Sequence, residues 1–497
     1  MCTAAALGLL ALVAGCRVGP PYHAPAPPSV TAPNYKESPV NFQSTEGWKV
    51  ASPQDAMLRG NWWEVFGDPD LNALEEQLNI NNQNLKVYFE DYMAARAVIA
   101  EARAMYWPTV TANPSFSEAH TSANQTVSST ATTGKTYGIW NFPLDASWSP
   151  DFFGKIRNEV HAAQYASQVS AADLQTEKLT EQASLAEYFF EIRGEDMLQQ
   201  ILNQTVAADQ KSLAYNQAQY DTGIGDYISV AEAKTTLESA EAAATNVALL
   251  RGQYEHAIAV LVGKVPSDFS IPVKPLVYTP PAIPTGVPSQ LLERRPDIAA
   301  TERTLAEANA TIGIGYGAFF PQVNISASAG FESATFKHLF DLGSGVWSVG
   351  PSIAETIFDG WLYRAELHQY EAQYNADVAT YRQTVLTAFQ QVEDSLVATR
   401  TYSQQILRQQ EAVKDAQDYL NLELVRYNTG VDPYVDVVIA QTTLLNNQET
   451  LNALQVQEMT ASVQLVQALG GGWDRSQLPT PSQAGAKTTN ADYTMQK

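Results

Sequence analysis

Residues 361–429 read WLYRAELHQYEAQYNADVATYRQTVLTAFQQVEDSLVATRTYSQQILRQQEAVKDAQDYLNLELVRYNT, a run with neither glycine nor proline that ends at Gly430. A second run, between Gly154 and Gly223, holds no proline and a single glycine, Gly194. Because glycine and proline most often end helices, each run predicts one helix of about 65 residues, reaching roughly 100 Å. Helices of that length are typical of coiled coils and helical tubes, not of globular domains.

The chain repeats itself around these runs. Residues 220–230 align with 427–437 at an offset of 207, and Gly263 falls on Gly470 at the same offset, so the helices after the two turns should have equal length. A shared glycine turn at a fixed register favours duplication over the chance similarity of Ala- and Gln-rich helices. We expect one repeat over 61–270, with helices about 70–106, 155–221 and 226–262, and a second over 285–473, with helices about 297–318, 361–428 and 434–469.

Four short segments alternate apolar and polar residues. They predict strands about 109–119 and 137–149 in the first repeat, and about 322–332 and 346–354 in the second. Period two over about 10 residues, with aromatic residues near the ends, is typical of outer membrane strands, although a soluble hairpin on a helical body is the alternative. Four strands cannot close a barrel, but three chains would supply twelve. The aromatic residues that we expect on the lipid face include Trp140, Phe142, Trp148, Phe331 and Trp347.

The first residues predict export and lipid attachment. A short apolar run ends in Val13-Ala14-Gly15-Cys16, which resembles a bacterial lipobox and predicts a signal peptide over 1–15 and acylation of Cys16; an ordinary signal peptide with an incidental cysteine is the alternative. The proline-rich stretch 16–60 predicts an extended leader, and we expect 474–497 to be a flexible tail.

The composition excludes several classes of function. A net charge of −23 argues against nucleic-acid binding, and 17% charged with 45% hydrophobic residues argues against wholesale disorder. The two cysteines, Cys2 and Cys16, lie at the start, and the six histidines show no metal-ligand spacing. Glu293-Arg294-Arg295 stand where the second repeat begins, so helix capping and salt bridges explain them better than catalysis does. We therefore predict a protein that is not an enzyme and needs no metal or cofactor.

Six motifs distributed from end to end resemble the TolC family of outer membrane efflux channels, in its NodT/OprM-like lipoprotein branch. They are Cys16-Arg-Val-Gly-Pro-Pro-Tyr-His-Ala-Pro25, Trp62-Trp63-Glu-Val-Phe66-Gly-Asp68-Pro69-Asp-Leu71, Leu291-Leu-Glu-Arg-Arg-Pro296-Asp297-Ile298, Phe319-Phe320-Pro321, Tyr427-Asn-Thr-Gly430-Val and Ala468-Leu-Gly-Gly-Gly472-Trp473. The resemblance implies a mainly α-helical homotrimer. A 12-stranded barrel in the outer membrane would continue into a 12-helix periplasmic tunnel, which meets an adaptor protein and an inner-membrane RND pump.

The two glycine turns should lie together at the periplasmic end of the tunnel. Acidic residues flank them, namely Asp221 and Asp226 near Gly223, and Asp432 and Asp436 near Gly430. Solvated loop acids near helix starts are one interpretation. In the resembled family, however, an aspartate after the second glycine narrows the channel, and Asp432 matches that position. Arg426 and Tyr434 are the candidates to hold its carboxylate.

Three functions remain open on the sequence. The first is the outer membrane duct of a drug efflux system. The second is a non-pore periplasmic coiled-coil lipoprotein, which has no need of four amphipathic strands. The third is the duct of a type I protein secretion system, which has the same fold.

Overall fold

A computed structural model of the chain describes residues 17–28, 35–37, 60–122, 134–283 and 291–485. The predicted signal peptide, Cys16 and parts of the leader lie outside these residues. The helices are α1 (Pro69–Asn81), α2 (Gln83–Ala104), α3 (Lys155–Asp221), α4 (Tyr227–Leu261), α5 (Leu291–Arg294), α6 (Pro296–Gly317), α7 (Leu362–Asn428), α8 (Tyr434–Ala468) and α9 (Pro481–Ala484). Among the described residues, no helix combines the length and apolarity needed to cross a bilayer.

Helix lengths match between the two halves of the chain. Helices α3 and α7 have 67 residues each, and α4 and α8 have 35 each. All four begin and end at positions related by the offset of 207. In each repeat the long helix packs along the shorter one that follows it, and α3 also packs against α6 and α8. The structure therefore contains the duplicated helix–turn–helix units that the sequence predicts.

One predicted helix is two helices in the structure. The sequence predicts a single helix over 70–106, but α1 ends at Asn81 and α2 begins at Gln83. Asn82 between them accepts a hydrogen bond from the Leu85 amide (3.0 Å) and donates one to the Leu261 carbonyl (3.0 Å). An N-cap side chain satisfies amides at a helix start, and this one also ties the break to the end of α4.

A single antiparallel sheet carries the predicted strands. It contains β1 (Thr109–Ala112), β2 (Ser115–His120), β3 (Thr136–Trp148), β4 (Gln322–Ser333) and β5 (Gly345–Ala354), in the order β1-β3-β4-β5 with β2 also on β3. The predicted strand over 109–119 is interrupted at 113–114. Proline at position 114 has no amide hydrogen to donate, which accounts for the gap in the ladder.

The strand register places the apolar side chains on one face. Trp140, Phe142 and Leu144 of β3 lie opposite Ser333, Phe331 and Ala329 of β4, and Ala329 lies opposite Trp347 of β5. Side chains of paired residues point to the same side of a sheet. All five of the predicted aromatic residues therefore share the apolar face, namely Trp140, Phe142, Trp148, Phe331 and Trp347. The other face carries mainly serine, threonine and asparagine, with Asp145 among them.

The largest cluster of buried apolar residues in the described part of the chain packs α1, α4 and α8 against α3. The aromatic motif near residue 62 is the centre of this core: Trp62 is fully buried, and its indole donates to Gln182 (3.1 Å). Beside it, the buried Arg193 guanidinium binds Asp70 (2.8 Å), and Arg251 binds Asp196 (2.7 Å). These ion pairs link α1, α3 and α4, so they fix the short helices on the long one.

The leader and the tail both pack against the helices. Asn158 at the start of α3 accepts from Arg17 (2.6 Å), and Tyr22 donates to Glu302 of α6 (2.6 Å). Within the segment predicted to be a flexible tail, Ala484 is buried beside Ile99, and a capping box stabilises the start of α9. This part of the tail therefore packs against α2 and α3, a contact between elements distant in sequence that the sequence did not predict.

Equivalent positions before the two long helices have the same backbone but different residues. Gly154 and Trp361 both have left-handed φ angles, 79° and 73°. A Cβ atom at Gly154 would lie 2.9 Å from Cα of Arg17, so the leader leaves room only for glycine. At Trp361 the Asp359 carboxylate accepts the Trp361 amide (2.8 Å) and stabilises the strained turn.

We predict that Gly154→Ala lowers the thermal stability of the protein more than Gly360→Ala does. Both glycines have positive φ, so both substitutions cost about 1 kcal/mol of backbone strain. Only alanine at position 154 also collides with the leader, since a Cβ atom at Gly360 meets nothing within 4 Å. Thermal unfolding of the purified variants measures the difference. Equal decreases in the unfolding temperature of the two variants would contradict a steric clash between the leader and a side chain at position 154.

Candidate aperture at the helix turns

Both helix pairs reverse through the same turn. In the first repeat Gly223 (φ 72°) donates its amide to Tyr220 (2.9 Å), and in the second Gly430 (φ 75°) donates to Tyr427 (2.9 Å). Left-handed φ angles at the end of a helix favour glycine, because a Cβ atom is strained there. The two predicted turn glycines therefore have the conformation that the sequence implies.

Asp432 forms an ion pair with one of its two predicted partners. The Arg426 guanidinium donates Nη2 to Oδ1 of Asp432 (2.9 Å) and Nε to Oδ2. This hydrogen bonding holds the pKa of Asp432 below its usual range. Tyr434, the other predicted partner, is buried instead, and its hydroxyl has no hydrogen bond to Asp432 among the described residues. A two-point guanidinium contact fixes the carboxylate at the surface of the turn.

Two further carboxylates stand beside this ion pair. One carboxylate oxygen each from Glu423, Asp432 and Asp436 lie within 4.8 Å of one another. Burial and the nearby Asp432 raise the pKa of Glu423. Three acids beside one arginine leave a local negative charge, and oxygen ligands of this kind suit hard cations. The grouping is half-exposed, and Arg426 already neutralises part of its charge.

The acids of the first turn have local roles. Asp226 accepts the Ser229 amide (2.9 Å) as the N-cap of α4, which lowers the pKa of Asp226. Asp221 accepts from Gln217 one helical turn earlier (2.8 Å). The structure thus brings Asp432 and Asp436 together, and it leaves Asp221 and Asp226 in separate helix-end contacts.

A tyrosine links the two repeats just above the turns. The Tyr427 hydroxyl lies at hydrogen-bond distance from Oδ1 of the buried Asn216 and from Oε1 of Gln219 (3.2 Å), both on α3. Its ring lies 5.3 Å from that of Tyr434 and 6.1 Å from that of Tyr215, between centroids. This contact joins the end of α7 to α3, so it holds the second helix pair against the first.

A buried acid that the sequence did not predict, Asp209, lies on α3 two helical turns before Asn216. Asp209 on α3 is 1% exposed, and neither carboxylate oxygen has a hydrogen-bond partner among the described residues. Burial raises the pKa of Asp209 from 3.8 to about 6. Burial also raises the pKa of Tyr434 to about 12, and Asp209 is one of the charges that act on it. An unpaired buried carboxylate destabilises the packing around it when it is charged.

A sequence signal for Asp209 exists in the comparison of the repeats. The offset of 207 places Asp209 opposite Ala416, which is buried in α7. The two long helices therefore differ in chemistry at this position, because the first repeat has an acid where the second has a buried alanine.

The charged motif at Glu293–Arg295 has a structural role. Arg295 donates hydrogen bonds to Gln391 (2.7 Å) and to the Ala468 carbonyl (3.0 Å).

Comparison with known proteins gives a family match to both repeats. The family model described as "Outer membrane efflux protein" matches residues 74–264 and 287–471, which is well over half of the chain. Each matched segment lies inside one of the two repeats.

Individual relatives match along nearly the whole length. The chain is 30% identical over 479 residues to the antibiotic efflux pump outer membrane protein ArpC of Pseudomonas putida, covering 96% of this chain and 97% of the relative. The outer-membrane channel OprN has a TM-score of 0.82 at 26% identity, covering 92% of this chain and 100% of that structure. The open state of the Neisseria gonorrhoeae outer membrane channel MtrE has a TM-score of 0.77 at 26% identity, covering 93% and 99%.

We predict that Asp209→Asn stabilises the folded protein at neutral pH. The folded-state pKa of about 6 lies above the ordinary 3.8, so the parent loses stability as the pH rises from about 4 through about 6. The difference in pKa corresponds to about 3 kcal/mol at pH 7. The unfolding temperature of the variant should exceed that of the parent at pH 7 and approach it at pH 4.

Asp221→Asn is the matched control for this experiment. Asp221 lies exposed on the same helix, so its substitution should leave the pH profile of the unfolding temperature parallel to that of the parent. An Asp209→Asn profile that is also parallel to the parent would contradict the assignment of a charged, unpaired carboxylate to this position.

Proposed function

This chain belongs to the outer membrane efflux protein family and is an outer membrane channel of an efflux system, and we propose that three copies form a passive duct through the outer membrane and periplasm. The observation that carries the proposal is the pair of equal helix–turn–helix units beneath a sheet with one apolar face. Each sheet contributes four strands when β1 and β2 are counted as two segments of one interrupted strand, so in the proposed trimer three sheets close a 12-stranded barrel. Twelve helices, four from each chain, enclose the tunnel. The partners are a periplasmic adaptor and an inner-membrane pump of the RND type.

Transport through such a duct requires no catalytic residue. We propose that the protein is not an enzyme, since bulk passage of solutes calls for a lumen and a gate. Drugs or other small molecules are the proposed cargo, in keeping with one relative named for antibiotic efflux and another named for toluene efflux. A periplasmic scaffold without a pore does not account for the apolar sheet face.

The apolar sheet face is the proposed contact with lipid. Trp140, Phe142 and Leu144 lie on it, and Trp107 and Trp361 are exposed near the helical end of the sheet. Aromatic residues at the two edges of an apolar band are typical of outer membrane barrels. The polar face with Asp145 would then line the water-filled lumen.

We propose that the protein is also anchored by acyl chains on Cys16. Arg17, the next residue, contacts Asn158, and the Val18 amide donates to the Phe153 carbonyl (3.2 Å), just after β3 ends. This position puts the start of the leader at the membrane end of α3. Two or more acyl chains give stable anchoring, so the attachment would add to the hold of the barrel.

The proposed gate is the second turn. In a trimer, three copies of Asp432 and its Arg426 partner surround one axis, and the Tyr427 contact with α3 holds each helix pair inward. Opening is then a swing of the helix pairs about these contacts, driven by the adaptor.

An accumulation assay in cells tests the function. A strain that retains an RND pump and adaptor but lacks its own outer membrane channel should stop accumulating a fluorescent pump substrate when this chain is expressed. The control is Leu144→Lys, which places a charge on the apolar face of β3 and costs about 2–4 kcal/mol per copy at the bilayer midplane. Export that is equal for the control and the parent would contradict a membrane-spanning duct. Secretion of a protein substrate without any effect on the dye would favour the type I secretion alternative.

Mass spectrometry of the mature N-terminus tests the anchor. We expect Cys16 as the first residue, carrying acyl chains. An unmodified residue other than Cys16 at the mature N-terminus would refute the acylation.

A further inference from the structure

The loop between β4 and β5, residues 334–344, folds back onto the apolar face of the sheet. The Phe336 ring lies 5.0 Å from that of Trp140, and the Phe340 ring lies 5.8 Å from that of Phe142, between centroids. Leu339 between them is only 3% exposed. Because Trp140 and Phe142 share the apolar face, the loop covers the outside of the sheet at the end far from the helices.

Internal contacts hold the loop in this shape. His338 Nδ1 lies 2.7 Å from Oδ2 of Asp341, and the Ser344 hydroxyl donates to the His338 carbonyl (2.7 Å). Two short 3₁₀ turns, Phe336–His338 and Leu342–Ser344, complete it. The loop is therefore a folded layer on the strands and not a simple connection.

The outer surface of this layer is apolar. Phe336 and Phe340 are 61% and 60% exposed, and Leu342 is 100% exposed. Lys337 lies exposed among them, and no ion pair to Lys337 occurs within the described residues. Exposed apolar patches next to a lipid-facing surface favour contact with a membrane, and an ammonium group beside them suits a phosphate.

We propose that the β4–β5 loop binds a phosphate-bearing lipid of the outer leaflet, with Phe336, Phe340 and Leu342 against its acyl chains and Lys337 near its phosphate. The proposal rests on the proposed function, since it takes the apolar sheet face as the one that meets lipid. Continuity with that face identifies the occupant: the phenyl rings of the loop extend the row formed by Trp140, Phe142 and Phe331.

Quenching of a fluorophore by brominated acyl chains tests the contact. The full-length Leu342→Cys variant is labelled with an environment-sensitive dye and reconstituted into phospholipid vesicles, and the parent chain treated alike gives the background from Cys16. We expect a blue-shifted emission that brominated acyl chains quench. Emission typical of water, without quenching, would overturn the proposal. A blue shift without quenching would indicate contact between protein molecules and would also overturn it.

Labels at two positions on β3 test the orientation of the sheet in the membrane independently of the loop. Leu144→Cys on the apolar face should be quenched, and Ser147→Cys on the polar face should not. Quenching at Leu144 without quenching at Leu342 would reject the loop proposal alone. The reverse pattern on β3, with Ser147 quenched, would reject the orientation on which the proposed function depends.

A second measurement tests the phosphate contact. Brominated phosphatidylglycerol should quench the Leu342 label more efficiently than brominated phosphatidylcholine, and Lys337→Gln should reduce this preference about fivefold, the effect expected for one lysine at an anionic surface. Lys135→Gln, an exposed lysine before β3, is the matched control and should leave the preference unchanged. An unchanged preference after Lys337→Gln would overturn the assignment of Lys337 to the phosphate.

Discussion

The structure depends on one constraint, which is that the helices of the first pair have the same lengths as those of the second. Helices of 67 and 35 residues recur in both repeats without a single insertion between their ends. A helix rises 1.5 Å per residue, so one extra residue would shift a turn and rotate every side chain beyond it by about 100°. Equal lengths bring the two turns to the same level, where residues of one repeat can contact the other.

The repeats share a backbone but carry different chemistry at matched positions. Gln219 and Gly225 of the first turn correspond to Arg426 and Asp432 of the second, so the ion pair exists only once per chain. The buried acid at Asp209 likewise has no counterpart in the second repeat. Duplication therefore supplies the geometry of the tunnel, and divergence at a few positions supplies the candidate gate.

Much of this architecture could be predicted from the sequence, because it depends on local signals. The absence of glycine and proline predicted α3 and α7 to within one residue, and alternation predicted which strand residues share a face. Contacts distant in sequence were not accessible. The cap at Asn82, the packing of Ala484 beside Ile99 and the burial of Asp209 each depend on another element approaching from elsewhere. Tyr434 was assigned to the wrong neighbour for the same reason.

Single-channel conductance in planar bilayers tests the central claim, that the second turn closes the duct. Replacing both Arg426 and Asp432 by alanine removes the ion pair and one charge of each sign, so the local net charge stays the same. The variant should therefore raise the conductance severalfold and leave the preference for cations at the parent value. Gln219→Ala, at the matched position of the first turn, should leave both quantities at the parent values. If the double variant also conducts like the parent, the closure lies elsewhere and the account of the gate is wrong.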